Sequence, residues 1–209
     1  MKTFFVCVTL ALASLSTVLA QTSNRPDPQN KDPQNKSDWQ YQFQISSTTF
    51  TNGATTLPLS MVLGSNNCPY ISGGGDESPQ VSWKNAPFFT KSFVVTLFDV
   101  TAAFTHWGMY NISSKTTQLP EDAGVSGSTY GQQVFNDFYY GAEYDGPCPP
   151  NNVTPYVHNY VLTVFALDTE LHLNAAPPNF PANGETLYRA MADHILASAS
   201  IHGYFSTNN

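Results

Sequence analysis

Charge is scarce in this sequence: Asp, Glu, Lys and Arg make up 11% of its 209 residues, and only 8 of them are basic. With 15 acidic residues the formal net charge is −7. Such a field repels polyanions, so binding to nucleic acid or to an anionic lipid surface is not expected. Cysteine is scarcer still, 3 in all, and no His or second Cys stands at ligand spacing from Cys68 or Cys148, so no metal site is expected. The GxSxG elbow, the HExxH zinc pair, the P-loop and the dinucleotide fingerprint are all missing. Nothing here calls for a cofactor or for an enzyme; hydrolysis by an Asp/His pair acting on water is the remaining catalytic alternative. Ser78 lies outside any nucleophile-elbow context. Beyond the first twenty residues no long apolar segment recurs, so a membrane-spanning protein is not expected.

What the chain does have begins with "MKTFFVCVTLALASLSTVLA": an early Lys2, an apolar stretch and a small-residue exit at Ala20. This pattern predicts a secretory signal peptide over residues 1–20, hence a secreted, extracellular protein, or a periplasmic one in a bacterium. Cys7 would leave with it, and Cys68 and Cys148 would meet an oxidising compartment. There two cysteines most simply form one disulfide, two free buried thiols being the alternative. Closing so long a loop contributes about 4 kcal/mol in the chain-entropy view. Sequons at Asn35, Asn111 and Asn152 admit N-glycosylation.

Residues 21–38 are polar and carry "DPQNK" twice in tandem, which reads as a flexible extension without a core. From residue 39 to 209 the chain reads as one domain of short β-type runs, among them "SFVVTLFDV" and "NYVLTVFALD", separated by Gly, Pro and Asn clusters. Those two runs are nearly continuous apolar sequence, so both strands are expected to be covered on both faces. Leu187, Ala190, Met191, His194, Ile195 and Ser198 follow a helical spacing after the cap candidate Asn183. That predicts one amphipathic helix over about 186–199, then a short extended "IHGYF".

Asp99 ends one predicted strand and His106 lies at the start of the next, so a hairpin would bring both to one sheet end. His158 and Tyr160, two apart on another strand, point to one face. These four could line a cavity with the Gly/Pro-rich "DGPCPP", residues 145–150, as its rim. Each also has a plainer reading: Asp99 as a turn former, His106 as a hydrogen-bonded core group, Tyr160 as a packed strand aromatic.

The ordered set "DESPQVSW", "KSFVVTLFDV", "HWGMYNIS", "LPEDAG", "NDF", "YDGPCPP", His158, "YVLTVFALD" and "MADHILASASIHGYF" resembles the phosphatidylethanolamine-binding protein family, in its bacterial-type, Raf kinase inhibitor-like branch. The resemblance spans about residues 40–205 and keeps the family's order. It implies a mostly β fold, a central antiparallel sheet packed on a smaller second sheet, with few peripheral helices, one of them near the C-terminus. It also implies a small pocket at one sheet end that accepts anionic groups such as phosphate or a phosphoethanolamine headgroup. Family members act as ligand-binding modules and as inhibitors of kinases or serine peptidases.

Matched residue by residue, the family's "DPDAP" box begins at Asp99, its "HW" falls on His106-Trp107, and its "GPCPP" on Gly146 to Pro150. The His of its "HRY" falls on His158, with Tyr160 following. The resemblance thus assigns ligand contacts to Asp99, His106, Gly146, Pro147, Pro149, His158 and Tyr160, and supports the Cys68–Cys148 bridge. Here "DPDAP" has become "DVTAA": Thr101 replaces the second acid, and Val100 and Ala103 replace two prolines that would fix φ. Asn159 stands where the family has Arg. The expected function is a secreted binding module for a small anionic or phosphorylated ligand, such as a phospholipid headgroup. It would be held by His106 or His158 and by backbone N–H groups of the Gly146 loop, with Asp99 orienting a histidine. Inhibition of a peptidase or, less expected, a kinase through a protein interface is the alternative.

Overall fold

The computed structural model describes residues 42–64, 66–173 and 181–208. The segments expected to be a signal peptide and a flexible extension, with Cys7 and the Asn35 sequon, lie outside the described residues.

Eight strands form two antiparallel sheets among the described residues. The smaller holds β1 (Gln44–Ser46), β2 (Val81–Lys84) and β5 (Gln118–Leu119) in the order β1-β2-β5. The larger holds β3 (Ser92–Asp99), β4 (Phe104–Ser113), β6 (Gln132–Gln133), β7 (His158–Leu167) and β8 (Ile195–Phe205) in the order β6-β4-β3-β7-β8. This is the expected mostly β architecture. β3 sits in the middle, paired from Asp99↔Phe104 to Ser92↔Ser113 with β4 and from Asp99↔Tyr160 to Ser92↔Leu167 with β7.

The continuous apolar run of β3 is explained by burial on both faces. Phe93, Val95 and Leu97 join the core shared with the small sheet, where the Trp83 and Phe93 rings lie 5.0 Å apart. Val94 points to a second core with Leu187 and Met191 of helix α1 (Gly184–Met191). Each such fully buried side chain is worth roughly 1.5–3 kcal/mol relative to exposure. The outcome is three layers: small sheet, large sheet, helix.

Helix α1 is shorter than its sequence spacing predicts. Asn183 caps it as expected: its Oδ1 accepts the Thr186 N–H at 3.1 Å, while Thr186 Oγ1 accepts the Asn183 N–H at 2.8 Å. After Met191 a 3-10 turn, Ala192–His194, hands over to β8, an 11-residue strand. Ile195 and Ser198 therefore belong to a strand, paired with Leu167 and Phe165 of β7. The ladder offered by the open edge of β7 outweighs the local helical period, because intrinsic propensity is the weaker preference. A β-alternating reading of 195–205 also fits the same residues.

Two bulges break the β3–β4 register. One leaves Asn111, at φ 55°, out of the ladder. Its side chain instead brackets Leu171, donating Nδ2 to the Leu171 carbonyl at 2.9 Å and accepting the Leu171 N–H at 2.7 Å. Of the two described sequons, Asn111 thus has its amide nitrogen engaged, whereas Asn152 is exposed.

Candidate functional site

At the end of β3 the chain turns through Val100–Ala103 into β4. Asp99 makes that turn: its Oδ1 accepts the N–H groups of Thr101 at 2.8 Å and Ala102 at 3.1 Å. Ala103 is left-handed at φ 53°. Thr101, in the place of an acid, accepts the Asn159 N–H on Oγ1 at 2.9 Å, and the Val100 N–H donates to the Asn159 carbonyl at 3.0 Å. Hydrogen bonds to β7 thereby hold a loop without its two prolines.

The other carboxylate oxygen of Asp99 accepts from His158 Nδ1 at 2.6 Å, both side chains being buried. Asp99 is therefore a turn former and a histidine-orienting group at once, one oxygen for each task. With Nδ1 donating, the proton-bearing nitrogen of His158 is fixed.

His106 is placed by the second bulge. Leu97 pairs with Trp107 and Phe98 with Thr105, so His106 is the extra residue on β4. Bulges re-aim side chains in this way. Its Nδ1 lies 2.8 Å from the carbonyl oxygen of Asp145, and a carbonyl only accepts, so Nδ1 carries the proton and Nε2 is left as a lone-pair acceptor. Burial pushes the His106 pKa down to about 4, against the opposing pull of the Asp145 carbonyl and of Asp99 and Asp137. Near neutral pH the ring is uncharged.

Tyr160, directly opposite Asp99 on β7, is fully buried, and its hydroxyl stands beside the Asp99 carboxylate without a well-formed hydrogen bond. Burial, and then the neighbouring Asp99 carboxylate, raise its pKa above the usual phenol range. It stays an O–H donor.

These groups line a cavity of about 220 Å³. Asp99, His106, Pro149, His158 and Tyr160 are brought together there as expected, joined by Ala102, Phe104, Phe138, Cys148 and Pro150. The rings of Phe104 and Phe138 stand 4.7 Å apart, and His106 is 4.9 Å from Phe104 and 5.4 Å from Tyr160. The sequence reading omitted both phenylalanines. Phe138 closes the matched "NDF", and Phe104 precedes His106 by two, which were the available signals.

Gly146 and Pro147 do not line the cavity. The Gly146 N–H is taken by Asp76 Oδ1 at 2.7 Å, so it is not free to hold an anion. A Cβ at Gly146 would lie 2.1 Å from the Met61 carbonyl oxygen, so the missing side chain admits the 61–63 backbone rather than a ligand. Pro147 offers its carbonyl to the Leu63 N–H at 3.2 Å. These residues hold the wall from behind, together with the Cys68–Cys148 disulfide and the Thr207 hydroxyl, which donates to the Pro149 carbonyl at 2.8 Å. Ser78 is buried, its Oγ accepting the Gly124 N–H at 2.8 Å, a structural role.

Comparison with known proteins places this geometry. The family model described as phosphatidylethanolamine-binding protein matches residues 33–206. A UPF0098 protein of Aquifex aeolicus (strain VF5) is 38% identical over 143 residues, 65% of this chain and 78% of the relative. The UPF0098 protein YbcL of Escherichia coli (strain K12) is 38% identical over 136 residues, 61% of this chain and 70% of that protein. The crystal structure of E. coli YbcL, described as a new member of the mammalian PEBP family, superimposes with a TM-score of 0.65 at 31% identity. It covers 79% of this chain and 98% of that one. The chain belongs to the phosphatidylethanolamine-binding protein family.

Proposed function

From that membership we propose that the protein is a secreted ligand-binding module, and that its cavity holds the anionic head of a small phosphorylated molecule, a phospholipid-type headgroup included. The observation that carries this reading is the buried hydroxyl of Tyr160, which stands beside the Asp99 carboxylate without a well-formed hydrogen bond and shares a largely apolar cavity with two histidines. A buried donor without a partner costs about 1–3 kcal/mol, which a ligand oxygen would recover. The His158 Nε2, once the ring is an imidazolium, supplies a second donor. Asp99 does not repel such a head strongly, because its charge is already shared among two backbone N–H groups and His158.

Binding is proposed rather than catalysis. Among the described residues the lining offers no hydroxyl nucleophile of Ser or Thr, and Cys148 is held in the disulfide. Secretion is supported by the signal-type N-terminus and by that disulfide, which needs an oxidising compartment. N-terminal sequencing of protein recovered from the medium or periplasm should begin near Gln21; a retained Met1 would overturn it.

The binding test is an NMR titration of the protein with phosphoethanolamine, following the histidine and Tyr160 ring signals. Saturable shifts confined to His106, His158 and Tyr160 are expected, and none at all would sink the reading. One observation favours peptidase inhibition as a second reading: Tyr139, Tyr140, Tyr156 and Val157 are exposed beside the lining residues Phe138 and His158 in the chain. Assay of the purified protein against a peptidase panel decides it.

A further inference from the structure

Resting on the phosphate reading above, the geometry points to a ligand head that brings its own proton: we propose that the cavity selects a phosphomonoester monoanion over phosphodiesters and sulfate.

The lining offers His106 as an acceptor and little positive charge. The His106 Nδ1–H is committed to the Asp145 carbonyl, so Nε2 has only a lone pair to offer. Among the described residues no Lys or Arg lines the cavity, and the carboxylate of Asp99 is buried in its wall. The groups facing His106 are Asp99 from β3, Asp137 from the loop after β6, Tyr160 and His158 from β7, and Phe104 and Phe138 as neutral rings. Among these only His158 can become a cation, so a dianion would be left with an uncompensated charge in a low-dielectric site.

An unprotonated oxygen set against His106 Nε2 would also place two lone pairs face to face. A head of the form RO–PO₂(OH)⁻ resolves both conflicts. Its P–OH donates to His106 Nε2, its other oxygens accept from Tyr160 O–H and His158, and it carries a single charge. A dialkyl phosphate has the same charge but no O–H, and sulfate at ordinary pH has neither the proton nor the single charge. A site built around one hydrogen bond rejects an analogue that lacks the matching group, because the buried partner is left unpaired. Intact phospholipids with diester heads fall into the rejected class, whereas the free phosphorylated headgroup is accepted.

The test pairs methyl phosphate with dimethyl phosphate, which differ by one methyl group, and adds sulfate, all titrated into the full mature protein by NMR or calorimetry at pH 5.5 and pH 8. Phosphate monoesters lose their second proton near pH 6. The expected result is methyl phosphate binding at pH 5.5 about tenfold or more tighter than dimethyl phosphate, that preference being lost at pH 8, and sulfate weak at both. Equal binding of the two esters at pH 5.5 would overturn the selection while leaving the phosphate site standing. Absence of binding by all three would overturn the phosphate reading itself. His106→Gln, whose amide can donate as well as accept, should narrow the preference at pH 5.5; an unchanged preference in that variant would also overturn the proposed role of His106.

Discussion

Two hollows differ in this molecule, and Asp145 connects them: it lines the second and holds His106 of the first. On one side is the apolar cavity, where carbon walls surround His106, His158, Asp99 and Tyr160. On the other is a cleft of about 260 Å³ lined by Asp76, Asp122, Glu143 and Asp145, with Asn67 and Tyr144. The Asp145 carbonyl serves the first by fixing His106, while its carboxylate faces the second and accepts from Asn136 Nδ2. Burial shifts the titration of groups in both places, with different results. In the cavity it discharges a base, pushing His106 down to about 4. In the cleft it burdens acids: burial raises Asp145 to about 6 and lifts Asp76, with neighbouring carboxylates adding to both. The cavity thus keeps His106 uncharged, with a lone pair on Nε2. The cleft holds carboxylates that would be more comfortable protonated.

The disulfide ties the two hollows together, since Cys148 lines the cavity and Cys68 follows Asn67 of the cleft. Its removal is expected to have the largest effect. With the cysteines 80 positions apart in sequence, Cys68→Ser with Cys148→Ser should lower unfolding stability in denaturant by about 4 kcal/mol. A loss under about 1 kcal/mol would mean that the 61–63 backbone alone holds the wall.

Next comes Asp99→Ala, which strips three accepted hydrogen bonds from the cavity side. We expect a loss of about 3 kcal/mol by the same assay. Asp99→Asn, which keeps the acceptor for the loop, should lose less. Equal losses would assign the whole effect to the charge.

The cleft should answer with the opposite sign. The pKa of Asp145 is higher folded than unfolded, so the native state binds the extra proton between about pH 4 and 6. Its contribution is favourable at acid pH and is lost as pH rises through about 6. Asp145→Asn still accepts from Asn136 and should therefore be more stable than the parent at pH 8, by about 1 kcal/mol. The gap should close as pH falls toward 4.5. A gap independent of pH would show that the carboxylate is not strained in the cleft.

Smallest is Tyr160→Phe. Deleting a buried hydroxyl that makes no well-formed hydrogen bond should leave stability unchanged or raise it by up to about 1 kcal/mol, measured by thermal unfolding, while weakening phosphate binding. Lost stability with unchanged binding would mean the hydroxyl already has a structural partner.

Much of the site was legible. The Asp99-to-His106 turn, the shared face of His158 and Tyr160, and the two strands buried on both faces follow from alternation and turn chemistry, which act over a few residues. Two readings went astray for a common reason. The helical period of 187–198 and the glycine of "DGPCPP" were each judged by local preference. In fact the edge of β7 recruits residues 195–205 into a strand, and the Met61–Leu63 backbone occupies the space beside Gly146. The bulge that aims His106 leaves no mark in local sequence, because it exists only in the pairing with β3.

By itself the sequence determined which groups were available: Cys68 and Cys148, few cations, an Asp, two histidines and a tyrosine at strand ends, and strands enough for two sheets. Only the tertiary structure decided their chemistry. His106 acquires its tautomer from a carbonyl 39 residues away, and His158 its partner from 59 residues away. Covalent neighbours set propensity, but protonation and hydrogen-bond polarity depend on desolvation and on what stands opposite in space, and both come into being only when the layers close.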